Sequence, residues 1–245
     1  MNSNQIIFST IPIQARNTNE EGKATSFIVK YANCYYLVTN RHVVENRPYI
    51  TLNIKAKDKS NALINTTTTF TINAINYFDE EYDLCAIPCE PIINDFTNSN
   101  IVINNTIIEL DNYIQTLPEI NGIEKVVIIG YPNYFMDKVN NLPICLSGIT
   151  ATSINYDYNG FKHFLIDGSG YHGSSGSPVF IHKNDEYYLV GICDSSLPYI
   201  SEINHVDNNS EETISSYKIE SASCISRIIK IEVLVKLIQR INNNR

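Results

Sequence analysis

The sequence predicts an all-β chain of two similar halves with one C-terminal helix, and three observations carry that expectation. Short runs rich in β-branched and aromatic residues alternate with turn signals along most of the 245 residues, a spacing typical of sandwiches and barrels. A polar interval around residue 115 separates two sets of these runs. Near the end, Ile225, Ile228, Ile229, Val233, Leu234, Leu237, Ile238 and Ile241 recur at helical spacing and make one apolar stripe.

In the first half, residues 1–115, strands are expected at 6–8, 26–31 and 35–39, with Gly22 and the pair Ala32-Asn33 as punctuation. Further strands are expected at 49–54, 67–75 and 84–87. Pro88 and Pro91 close the last of them, because proline cannot continue a central ladder. The second half, residues 116–222, offers 126–129, 144–147, 163–166, 179–182 and 187–193. Residues 194–216 are polar, acidic and poor in strand signal, so a long surface loop is expected there. The helix is assigned to 223–245.

Composition narrows the function. Lysine and arginine total 18 against 26 aspartate and glutamate, a formal net charge of −8, which argues against the basic footprint of a nucleic-acid binder. No basic segment followed by an unbroken apolar stretch opens the chain, and no later run approaches the length of a membrane span. A soluble, cytoplasmic protein without a membrane partner is expected. Six cysteines, Cys34, Cys85, Cys89, Cys145, Cys193 and Cys224, lie in apolar, strand-like contexts. Without a secretory signal they read as buried free thiols rather than as a disulfide framework. No Cys-x-x-Cys pair exists, so neither a metal nor a cofactor is expected.

The stretch most informative about chemistry is Gly173-Ser174-Ser175-Gly176-Ser177-Pro178-Val179-Phe180. Small polar residues bury little apolar area and glycines lose backbone entropy on ordering, so such a run is selected for backbone shape. A sharp turn at Gly173 would project the Ser175 hydroxyl and let the N–H groups of Gly173 and Ser175 converge on one point, as an oxyanion hole requires. Taken alone, the run is also compatible with a polar hairpin loop. A serine nucleophile needs a base within hydrogen-bonding reach and an acid to orient that base. His42 follows the strand Tyr35-Tyr36-Leu37-Val38-Thr39 at a sheet rim. Asp83 directly precedes the apolar strand Leu84-Cys85-Ala86-Ile87, where an unpaired buried carboxylate would be costly.

Together the blocks Thr39-Asn40-Arg41-His42-Val43-Val44, Asp83-Leu84-Cys85-Ala86-Ile87 and Gly173-Ser174-Ser175-Gly176-Ser177-Pro178 resemble the signature blocks of the chymotrypsin/trypsin-like serine peptidases. They occur in that family's order and at similar spacing. Ala24-Thr25-Ser26-Phe27-Ile28-Val29, Gly130-Tyr131-Pro132 and Val190-Gly191-Ile192 extend the likeness over most of the chain. The resemblance implies two six-stranded antiparallel β-barrels packed together, the first carrying His42 and Asp83 and the second Ser175, with a C-terminal α-helix. It implies a serine endopeptidase acting on protein or peptide substrates through an acyl-enzyme. In it His42 is the general base, Asp83 its orienting acid, and Gly173 and Ser175 the oxyanion donors. By the same match, Ser169, Gly170 and His172 would wall the primary specificity pocket, while Asp194, Ser195 and Ser196 would pair with the substrate backbone.

Other assignments fare worse. The Gly-x-Ser-x-Gly elbow of the α/β-hydrolases fails at Ser177 and in chain order, and the nucleophile position is not a cysteine. A catalytically silent binding module of the same fold is the alternative, although none of the three chemical groups is lost. Ser174 stands where secreted members carry the aspartate that pairs with a freed N-terminus, and the cysteines do not match their disulfide positions. Both departures suit an intracellular, bacterial-type member that needs no propeptide cleavage. Control by a regulatory protein partner is left open. Ser169, rather than an aspartate, at the pocket floor favours uncharged side chains at P1.

Overall fold

The computed structural model describes residues 1–168, 173–206 and 213–244. The first half contains β1 (Thr10–Arg16), β2 (Glu21–Tyr31), β3 (Cys34–Thr39), β4 (Tyr49–Lys57), β5 (Leu63–Thr71) and β6 (Cys85–Pro88). They form antiparallel pairs in the order β5-β4-β1-β2-β3-β6. Two short strands, β7 (Val102–Ile103) against β4 and β8 (Ile108–Glu109) parallel to β2, bring the sheet to eight. This sheet is not closed, which corrects the expectation of a first six-stranded barrel. The reason lies in β6. It is four residues long and ends at Pro88, which has no N–H for the ladder. The chain then turns into a helix, α3 below, with Pro91 in its first turn, where a missing N–H costs nothing.

The second half contains β9 (Lys125–Gly130), β10 (Ile144–Thr150), β11 (His163–Asp167), β12 (Pro178–Lys183), β13 (Glu186–Val206) and β14 (Thr213–Lys230). They close into a barrel in the order β10-β11-β14-β13-β12-β9. Two-residue turns set the register in both halves. Ala32-Asn33 joins β2 to β3 and Asn184-Asp185 joins β12 to β13, all four residues with positive φ between 49° and 63°. That is the left-handed backbone conformation of turns whose twist matches the right-handed twist of the paired strands.

The helices are α1 (Ser3–Ile7), α2 (Arg41–Val44), α3 (Glu90–Asn98), α4 (Tyr113–Thr116) and α5 (Ile231–Asn243). Residues 6–8, expected as a strand, instead belong to α1 and its C-terminal end. The Asn2 side chain accepts from Gln5 N at 2.9 Å and the Gln5 side chain accepts from Asn2 N at 2.8 Å, a capping box that fixes a helical turn. The 194–216 surface loop is also corrected, since strand β13 runs on to Val206 and β14 begins at Thr213. Paired strands satisfy each other's backbone groups whatever their side chains, so a polar sequence can still be a ladder. Finally, α5 begins at Ile231 rather than near 223, and Ile225, Ile228 and Ile229 lie in β14. Ile228 packs in the barrel interior and Ile229 on its outside, between the halves. A strand buried on both faces reads as a continuous apolar run.

One apolar cluster joins the halves. Phe27, Tyr36, Val38 and Leu84 from the first half meet Ile129, Phe180, Leu189 and Ile192 from the barrel. Helix α5 adds Leu234, Leu237, Ile238 and Ile241 to the same cluster, each at most 5% exposed. The six cysteines are free thiols. Cys85, Cys89 and Cys193 are buried as expected, whereas Cys34 is half-buried and Cys145 and Cys224 are exposed.

Candidate active site

His42 sits in the single turn of α2, directly after β3 delivers the chain to the sheet rim. Its side chain meets Asp83, which lies two residues before β6, the strand paired with β3. Asp83 grips the histidine twice. One carboxylate oxygen accepts the His42 backbone N–H at 2.8 Å, and the other is hydrogen-bonded to ring Nδ1. Asn40 Nδ2 donates to the Asp83 carbonyl at 2.7 Å, fixing the aspartate backbone from the same turn. Arg47 holds the His42 carbonyl at 2.7 Å. The bond to Asp83 raises the imidazole above its ordinary value, against the opposing effect of burial. Burial pushes the Asp83 carboxyl up, but its bonds to His42 and the charge of that ring outweigh burial and leave it below the usual range.

Gly173 and Ser175 lie on the loop that enters β12, and their conformation is set by contacts across to β2. At Gly173 φ is +87° and a Cβ would stand 2.5 Å from the Tyr131 carbonyl; at Gly176 φ is +78° and a Cβ would stand 2.2 Å from the Thr25 carbonyl. Only glycine fits either position. Thr25 clasps the loop between them. Its N–H donates to the Ser175 carbonyl at 3.0 Å and its hydroxyl to the Gly173 carbonyl at 2.9 Å, while the same oxygen accepts Tyr131 N–H at 3.0 Å. Thr39 Oγ1 in turn donates to the Thr25 carbonyl at 2.9 Å. With the two loop carbonyls held away, the N–H groups of Gly173 and Ser175 take no acceptor among the described residues.

His42 and Ser175 line one open cleft of about 610 Å³, with Glu21, Lys23, Arg47, Asn133 and Tyr134 on its walls. The Ser175 hydroxyl makes no hydrogen bond to His42 here; such bonds are often long in free enzymes and tighten on substrate binding. Ser195 and Ser196 lie at the middle of β13, half-buried and paired with Arg227 and Ser226 of β14. Asp194 precedes them on the same strand, and its side chain points inward, where Arg227 Nε donates to it at 2.6 Å. Ser169, Gly170 and His172 lie outside the described residues. Metal-ligand clusters are absent among the described residues.

Thr25, Arg227 and His163 were missed in the sequence. Thr25 was visible as a hydroxyl inside an apolar strand, and Arg227 as the lone charge in Ile225-Ser226-Arg227-Ile228-Ile229.

Two comparisons place this geometry among known proteins. The trypsin-like peptidase domain matches residues 24–192, a stretch that includes His42, Asp83 and Ser175. No curated protein sequence matches the chain. Among solved structures, the serine endoprotease from Yersinia pestis is 15% identical with a TM-score of 0.56, covering 97% of this chain and 64% of that one. The HtrA-type protease AlgW, solved with a tripeptide, is 16% identical with a TM-score of 0.57, covering 97% and 61%. The chain therefore spans less than two thirds of either structure, and at these identities the likeness is one of fold. The family match over more than half of the sequence carries the assignment: this chain belongs to the trypsin-like peptidases.

Proposed function

We propose that the chain is a serine endopeptidase in which Ser175 attacks the carbonyl of a peptide bond. His42 takes the hydroxyl proton at Nε2 and returns it to the leaving amine, and a water then releases the acyl group from Ser175 by the same route. Asp83 keeps the Nδ1 proton in place and stabilises the imidazolium. The N–H groups of Gly173 and Ser175 bind the oxyanion. The observation that carries this reading is the double grip of Asp83 on His42, across one cleft from a serine whose loop carbonyls are tied back by Thr25. Substrates are proteins or peptides, and Ser169 favours an uncharged P1 side chain. Six free thiols suit work in a reducing compartment such as the cytoplasm.

The test is hydrolysis of an unfolded protein by wild type and by Ser175→Ala. The reading predicts a loss on the order of 10⁶ in kcat with unchanged melting, since removal of a partly exposed hydroxyl opens no core cavity. Equal turnover by both proteins would refute it, and absence of turnover in wild type would favour a silent binding module.

A further inference from the structure

One edge of the open first sheet is bare. Strand β5 pairs only with β4, and among the described residues no backbone group of residues 63–71 bonds elsewhere. An edge strand presents a row of unpaired N–H and C=O groups, and natural proteins blunt such edges with charge, proline, a bulge or a short strand. The opposite edge is blunted in this way, since β6 is four residues long and ends at Pro88. Strand β5 carries none of these devices. Its nine residues, Leu63-Ile64-Asn65-Thr66-Thr67-Thr68-Thr69-Phe70-Thr71, include no charge, proline or glycine, and its register with β4 runs unbroken from Lys57 opposite Leu63 to Tyr49 opposite Thr71. Its side chains alternate between exposed and half-buried along the whole length. Bonds to β4 hold it in line: Thr67 Oγ1 donates to Asn53 Oδ1 at 2.7 Å, and the Thr51 and Thr69 hydroxyls meet at 3.1 Å.

We propose that β5 is a self-recognition edge: two copies of the chain join β5 to β5, antiparallel about a two-fold axis at Thr67, and make one continuous sheet. The occupant is read from the strand itself. A two-fold axis pairs residue i with j and j with i, so the strand must be complementary to its own reverse. About Thr67 it is. Ile64 of each copy falls opposite Phe70 of the other, and Thr66 opposite Thr68, all on the half-buried face. Aromatic with β-branched and threonine with threonine are favourable cross-strand pairs. This register matches all nine residues, whereas a slip by one residue sets half-buried positions against exposed ones. Charge points the same way. Each copy carries a net −8, so two copies repel, and β5 brings no charge to the contact from either side. A foreign peptide would need no such self-complementarity. With the opposite edge of the sheet blunted, assembly stops at two copies. The residues of β5 do not line the cleft of His42 and Ser175, so the pairing is independent of the peptidase reading.

Sedimentation equilibrium of the full chain over a concentration series tests the proposal. The wild-type mass should rise from 27.8 kDa to twice that value as concentration increases. Thr67→Lys and Thr67→Glu each oppose two like charges at the axis and should raise the dissociation constant about 10-fold or more. Mixed in equal amounts, the two variants set opposite charges there and should recover a dimer about as tight as that of wild type. Thr67 is exposed, so both variants should melt close to wild type; should one fail to fold, the other alone decides. A wild type that stays monomeric or assembles beyond two copies overturns the proposal. So do charged variants that dimerise as tightly as wild type, and a mixture no tighter than either variant alone, since both place the contact away from the Thr67 axis.

Discussion

At His42 the chemistry depends on where one proton resides. A protonated imidazole cannot act as general base, so the proposed mechanism predicts that kcat/KM rises as pH climbs through the His42 midpoint. The bond to Asp83 places that midpoint above the ordinary value of about 6.5. Asp83→Asn removes the main cause of the upward shift and leaves burial, which favours the neutral ring. The rising limb of the pH profile should then move to lower pH, while kcat drops on the order of 10⁴ as the tautomer is lost. A profile that stays in place in the Asn variant would show that Asp83 does not set the histidine. The candidates His42, Asp83 and Ser175 could be picked from the sequence because each sits in a short block of distinctive residue types, and the structure joins Asp83 to His42 and sets His42 and Ser175 on one cleft. The inward side chain of Asp194 was not legible for a physical reason. A strand exposes alternate side chains to opposite faces, and nothing in Cys193-Asp194-Ser195 says which face of β13 looks inward. Its partner Arg227 is 33 residues away in sequence.

At the scale of elements, the nucleophile loop takes its shape from β2. Thr25 is fully buried, and its hydroxyl both donates to Gly173 and accepts from Tyr131. Thr25→Val keeps the volume and removes both bonds, leaving the Tyr131 N–H and the Gly173 carbonyl unpaired. We expect a loss of about 1 to 3 kcal/mol in stability and a fall in kcat on the order of 10- to 100-fold as the loop shifts. Thr25→Ser should restore most of the rate, and a Val variant as fast as wild type would show that the loop holds its own shape. Most strands of the core were readable from β-branched and aromatic runs. Several elements were not. The helix α1 was disguised by Ile6-Ile7-Phe8 and revealed only by its capping box. Polar residues hid the far ends of β13 and β14, whose backbone ladder does not depend on side-chain type. In α3, Pro91 was taken as a strand terminator when it also starts a helix that buries Ile92 and Phe96.

For the whole molecule, the open first sheet and the closed barrel matter less separately than at their junction. The proposed base, His42, and its partner Asp83 come from one, and the proposed nucleophile, Ser175, from the other. The shared cluster from Phe27 to Ile229 and the stripe of α5 hold the halves in register, so the cleft exists only in the folded whole. This two-part assembly is the central claim, and a fluorophosphonate probe tests it most directly, since phosphonylation needs Ser175 and its activation by His42 together. Intact mass and peptide mapping should find one adduct on Ser175 in wild-type protein, forming faster as pH rises through the His42 midpoint, and a large loss of rate in His42→Ala. An unmodified wild type, or an adduct that forms at Ser175 equally fast without His42, would contradict the account.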